Sequence, residues 1–203
     1  MKSIIKILMV TALCGTVEAS ASTLDLLGVR WNQETVTVLI RAQGRVSEAA
    51  KADVEQAVAD WIAALSGVPS APTLSLLGEG KPKDADIVIH MKVGGGIVLG
   101  QALPRTVSPF SCDLHQVSIQ LSGKAFGSDF SSAGTQNVAR HEVGHALGLG
   151  HSDDEEDLMF PSFEFAPIFG EDNVPISACD VDGIEDIYGA VSCAAIPDST
   201  NCP

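Results

Sequence analysis

The chain has 203 residues, 26 of them acidic against 12 basic, and a formal net charge of −14. That length suits one domain with short extensions and a substantial core. The acidity argues against nucleic acid as a partner and reads most simply as solubility outside the cell.

The first 21 residues stand apart. Lys2 and Lys6, the apolar run IIKILMVTALCG and the small-x-small ASA at residues 19–21 form the pattern of a secretory signal cleaved after Ala21. The run is too short to span a bilayer, and Leu13 before Cys14 fits a lipoprotein signal poorly. No other stretch resembles a membrane span, so a secreted, extracellular or periplasmic protein is expected. Loss of Lys2, Lys6 and Glu18 leaves 10 basic and 25 acidic residues. Four cysteines also remain, Cys112, Cys179, Cys193 and Cys202, an even number that suggests two disulfides with three connectivities open. Cys193 with Cys202, closing a short loop, and Cys112 with Cys179 are the favoured pairs. No C-x-x-C supports a zinc–thiolate site.

TVTVLI, residues 35–40, alternates so that Val36, Val38 and Ile40 share one face of a half-buried strand. A helix follows from about Ser47 to Leu65, with Ala50, Val54, Val58, Trp61 and Leu65 on one stripe that packs against a sheet. DIVIHM, residues 86–91, and QVSIQL, residues 116–121, are further strands. The GGG at 94–96 lacks the later glycine and the helix that a phosphate loop requires. Small and polar residues 127–135 lead into another helix, for which Thr135 is the expected N-cap.

On that helix HEVGHALGLGHS, residues 141–152, puts His141 and His145 four apart, hence on one face one turn apart. Glu142 lies to one side of the pair, where it is better placed as a base toward metal-activated water than as a ligand. His151 would rotate away on a continuing helix, so the chain must turn, and Gly148 can supply the left-handed conformation that ends helices. Written out, the stretch is H-E-x-x-H-x-x-G-x-x-H. His90 and His115 lack such spacing and are read as non-ligands. The acidic run HSDDEED is read as a solvated loop and leaves calcium open. A last helix runs from about Ile176 or Asp180 to Tyr188, and residues 191–203 form a disulfide-tied tail. Strand, helix, strands, helix, irregular chain and helix indicate one α/β (α+β) domain with a mixed sheet and about three helices, spanning residues 22–190.

These stretches together resemble the matrixins, the matrix-metalloproteinase-like branch of the metzincin zinc peptidases (peptidase family M10), of a secreted microbial type. Ser152 follows the third histidine, LMFP at 158–161 is similar to the methionine turn, DVDGIEDIYG at 180–189 to the C-terminal helix, and ADI at 85–87 to the third strand. The resemblance covers residues 29–190. It implies a zincin-like fold and one catalytic zinc held by His141, His145 and His151, with Met159 as a floor under the site. Pro161 occupies the place of an astacin's tyrosine ligand, which implies an open coordination position. Pro161, Ser162 and Phe163 would wall the pocket for the side chain after the scissile bond. Gln101 stands where vertebrate relatives carry a structural-zinc histidine, so no second zinc is expected. No propeptide is expected either, and the working unit is taken as a monomer.

The implied activity is zinc-dependent endopeptidase action on peptide or protein substrates, with Glu142 as general base. Two rivals are a catalytically inactive zinc-binding or adhesion module, for which Glu142 would have no use, and a zinc hydrolase of a non-peptide bond.

Overall fold

The computed structural model describes residues 22–95, 99–108, 110–125, 128–161 and 170–202. The expected signal segment, residues 1–21, lies outside them. Four strands build the frame of the main sheet. Strands β2 (Thr35–Gln43), β4 (Ile87–Gly95) and β6 (Leu114–Ala125) run parallel, and β3 (Thr73–Leu77) joins β2 in the same sense. Strand β5 (Gly100–Thr106) pairs antiparallel with β6 and forms the edge, giving the order β3-β2-β4-β6-β5, with a two-residue strand β7 (Ser128–Asp129) beside β6.

Alternation decides which face is dry. Val36, Val38, Ile87, Ile89, Val117 and Ile119 are fully buried on the face that carries the helices. Against it lie α1 (Glu48–Leu65) and α2 (Ser132–Leu147), which pack on each other as well. Helix α1 is N-capped by Ser47 and, as the sequence suggests, buries Val54, Val58, Trp61 and Leu65 along one stripe. The expected cap of α2 is corrected: Ser131, not Thr135, accepts the Gly134 N–H. Thr135 lies inside the helix, its hydroxyl turned back onto the Ser131 carbonyl at 3.0 Å.

A second, three-stranded sheet has the order β8-β1-β9, from β8 (Leu149–Ser152), β1 (Thr23–Leu26) and β9 (Ser199–Asn201). Both neighbours pair antiparallel with β1. Ser199–Asn201 of the expected tail therefore form a strand of this sheet. Helix α3 (Ala178–Gly189) packs on this sheet and starts with a capping box between Ser177 and Asp180.

The favoured disulfide pairing is overturned. The bonds are Cys112–Cys193 and Cys179–Cys202, with Cα atoms 5.7 and 5.0 Å apart. Pairing of β9 with β1 carries Cys202 to the first turn of α3, beside Cys179, and so away from Cys193. Arg30 meanwhile draws Cys193 to Cys112, since its amide donates to the Cys112 carbonyl and its guanidinium to the Ala190 carbonyl, at 2.8 and 2.6 Å.

Candidate metal centre

Thirteen of the sixteen residues of α2 are buried, so its two histidines enter the site from a helix enclosed by protein. Gly148 ends it with φ at 107°, a left-handed conformation that a side chain would strain. Its last carbonyls find donors in aromatic side chains: the Trp31 indole donates to Ala146 at 2.9 Å and the Tyr188 hydroxyl to Leu147 at 3.0 Å. Those contacts satisfy groups that every helix end leaves open. The chain then reverses into β8, which brings His151 back over the helix.

His141, His145 and His151 each offer a ring nitrogen, and these lie within 4.8 Å of one another. Two of the rings have their tautomer set by geometry. Nδ1 of His141 lies 2.8 Å from the Leu158 carbonyl and Nδ1 of His145 2.9 Å from the Leu149 carbonyl. A carbonyl only accepts, so both Nδ1 atoms carry the proton and both Nε2 atoms carry the lone pair a metal needs. Burial first, then His145, pushes the His141 pKa down to about 3, and burial lowers that of His145 as well. These rings are neutral at pH 7, the form in which imidazole ligates.

Glu142 points at the same space from its place beside His141. It is buried, and its Oε2 has no hydrogen-bond partner among the described residues. Edge strand β5 closes over it: the Ala102 amide hydrogen bonds to the carboxylate, and a Cβ at Gly100 would come within 2.5 Å of Oε1. Only glycine leaves that room. Burial raises the carboxyl to about 7, and the Ala102 bond opposes the shift without cancelling it.

Beneath the site, Met159 is fully buried. A Cβ at Gly144, between the two helical histidines, would meet its sulfur at 2.6 Å, so the missing side chain is what lets the thioether pass under the helix. The turn that delivers Met159 is tied down through Asp157, which accepts the Met159 amide at 2.8 Å and the Ser177 hydroxyl at 2.8 Å. Ser177 is also the cap of α3, so the turn, the cap and Asp180 form one polar cluster.

Of the expected pocket wall, Pro161 is described and exposed, while Ser162 and Phe163 fall outside the described residues. Gln101 lies on β5 opposite Gln120. His90 and His115 sit on β4 and β6, apart from the three-histidine group. A second cluster, Cys112, Asp113 and Cys193, has its two sulfurs joined in a disulfide and offers no thiolate.

Reading of the sequence passed over Arg140 and Gly100. Arg140 precedes His141 and is buried, with Asp60 at 2.7 Å, Asn137 at 2.9 Å and the Val174 carbonyl at 2.8 Å. It anchors the metal-site helix to α1 and to the stretch leading into α3. The signal was present, since an arginine inside a helix buried nearly all round must have partners. Gly100 gave no signal, because its role depends on what faces it across space.

Residues 106–189 match the matrixin family model. Over 169 residues the chain is 31% identical to interstitial collagenase of Bos taurus, covering 77% of this chain and 32% of the collagenase. The interstitial collagenase of Equus caballus is 30% identical over 189 residues, 87% of this chain and 36% of that protein. A shorter stretch of 53 residues, 26% of this chain and 11% of the relative, is 45% identical to stromelysin-2 of Rattus norvegicus. The chain thus spans about a third of the length of the collagenases it matches.

Proposed function

Because this chain is a matrixin-like metzincin, we propose that it is a secreted zinc-dependent metalloendopeptidase, with His141, His145 and His151 as the ligands and Glu142 as the general base. The observation that carries the reading is the convergence of three ring nitrogens, two of them proton-free by geometry, beside a carboxylate with an unsatisfied buried oxygen. A three-imidazole set with room for a fourth ligand suits catalytic zinc. Burying an acceptor without a partner is costly unless a donor arrives with the substrate and its attacking water.

Bound zinc would supply a Lewis acid that makes water acidic near neutral pH and polarises the substrate carbonyl. Glu142, poised near pH 7 in the metal-free chain, takes the proton of the attacking water and returns it to the leaving amine. No covalent intermediate with the protein is required. The Ala102 amide holds the carboxylate in place, and the main-chain carbonyls of Leu158 and Leu149 hold the two rings. Substrate lies extended along edge strand β5 and adds a strand to the sheet through main-chain hydrogen bonds, which tolerates many sequences. Residue preference then rests on Pro161, Ser162 and Phe163 after the cut.

In this reading residues 1–21 act as the signal, and the catalytic domain over residues 22–190 holds one zinc. The test is cleavage of a mixed peptide library by residues 22–203, read by mass spectrometry, with and without chelator. Cuts that vanish with chelator and favour apolar residues just after the scissile bond support the reading. Cuts indifferent to chelator contradict the zinc, and cuts without apolar preference contradict the pocket.

A further inference from the structure

Two of the three imidazoles are aimed by carbonyls, and the third is not. The Leu158 and Leu149 carbonyls hold the rings of His141 and His145, whereas the His151 ring is exposed and has no hydrogen-bond partner among the described residues. Its direction must therefore come from its backbone. That backbone is β8, four residues at the edge of the small sheet, and β1 is its one strand neighbour among the described residues.

Strand β1 grips β8 on both sides of His151. Before it, Leu26 pairs with Leu149, and the Leu27 amide donates to the Gly148 carbonyl at 2.9 Å. At Gly150 the two chains lie so close that a Cβ would come within 2.7 Å of the Asp25 carbonyl oxygen. After it, Leu24 pairs with Ser152 and Asp153 closes the strand end. The Asp153 amide donates to the Thr23 carbonyl at 3.0 Å, while its carboxylate accepts the Thr23 amide at 2.6 Å and the Thr23 hydroxyl at 3.0 Å. The inner side is anchored too: Leu24 and Leu149 are fully buried, and a Cβ at Gly183 of α3 would meet both at 2.9 Å.

We propose that β1 belongs to the metal centre: it aims His151 as the two carbonyls aim the other rings, and Thr23 and Asp153 are the positioning pair that locks it. The inference rests on the zinc reading above, because it needs the three histidines to share one ion. Neither residue is a ligand, and both act through the β8 backbone.

Zinc affinity, measured by competition with a chelating dye, and the visible spectrum of the cobalt-loaded protein test this without a peptidase assay. Asp153→Ala and Gly150→Ala are expected to bind zinc about 10-fold more weakly than the unsubstituted chain. Their cobalt bands should weaken as the third imidazole leaves and the metal gains water ligands. Asp153→Asn, which keeps an acceptor for the Thr23 amide, should recover most of the affinity. Asp129→Ala, which breaks the ion pair with Lys124 on the other sheet, should change neither readout. If Gly150→Ala does not fold, the two Asp153 variants decide. Unchanged affinity and spectrum in Asp153→Ala overturn the proposal, and so does an equal loss in Asp129→Ala, since the effect would then be general. An unsubstituted chain that binds no zinc overturns the zinc reading itself, and this inference with it.

Discussion

Glu142 and Asp180 are two buried carboxyls with the same abnormality and different surroundings. Each keeps one oxygen buried without a hydrogen-bond donor among the described residues, and each is raised to about 7, chiefly by burial, with the neighbouring Asp157 carboxyl adding to the rise at Asp180. Around Asp180 the space is closed: Ser177 takes its other oxygen into the capping box, and Asp157 is locked between Ser177 and Met159. Glu142 instead lies under an edge strand, beside three imidazoles that leave His151 exposed. A raised pKa therefore does not by itself mark a working acid or base. What the orphan oxygen faces decides it.

The largest effect should separate the two directly. Glu142→Gln is expected to lower kcat/KM for peptides by roughly 10²- to 10⁴-fold with zinc content unchanged, whereas Asp180→Asn should stay within about 2-fold at pH 7. Peptidase assays on zinc-loaded variants would break the comparison if both fell alike. Gly100→Val comes next, because its side chain would overlap the Glu142 carboxylate. A displacement of that kind costs on the order of 100-fold in kcat, while far-ultraviolet circular dichroism should be unchanged.

Asp180 should reveal itself in stability instead. Its folded pKa, about 7, is above the ordinary 3.8, so the folded chain holds this proton more tightly than the unfolded one. The group's contribution is whole below about pH 4 and is lost as pH rises through 7. Glu142, raised likewise, and His141, lowered, also titrate differently in the folded chain, but Asp180→Asn leaves both in place. Between pH 4 and pH 8 the slope of the urea midpoint against pH should therefore be less negative, or more positive, in the variant than in the unsubstituted chain. An unchanged slope in the variant would mean that another group causes it. Smallest of all is Met159→Leu: near-equal volume predicts a stability loss below about 1.5 kcal/mol by urea denaturation, with zinc stoichiometry preserved.

Legibility in the sequence followed the range of the interactions. The strands around residues 35–40, 86–91 and 116–121, and the helix from about Ser47 to Leu65, were readable because strand alternation and the helical stripe are local patterns. The three histidines were readable for the same reason, their spacing along one helix and one turn. Strands β1, β8 and β9 were not, because TLDL, LGHS and STN are too short to carry a period and exist by pairing with one another across the chain. The cysteine pairing failed with them, since β9 sets where Cys202 goes. Ser131 was passed over as a cap because it and Thr135 are equally good acceptors on paper, and packing of α2 chose between them. Gly100 and Gly144 act through a missing Cβ, and a missing atom leaves no trace in a pattern.

The most direct test of the central claim is titration of the metal-free protein with zinc, reading bound metal and peptide cleavage on the same samples. Cleavage should rise from nothing and saturate at one zinc per chain, and in His145→Ala neither tight binding nor cleavage should appear. One zinc bound with no cleavage, or cleavage that persists without zinc, would contradict the assignment of this site as a peptidase centre.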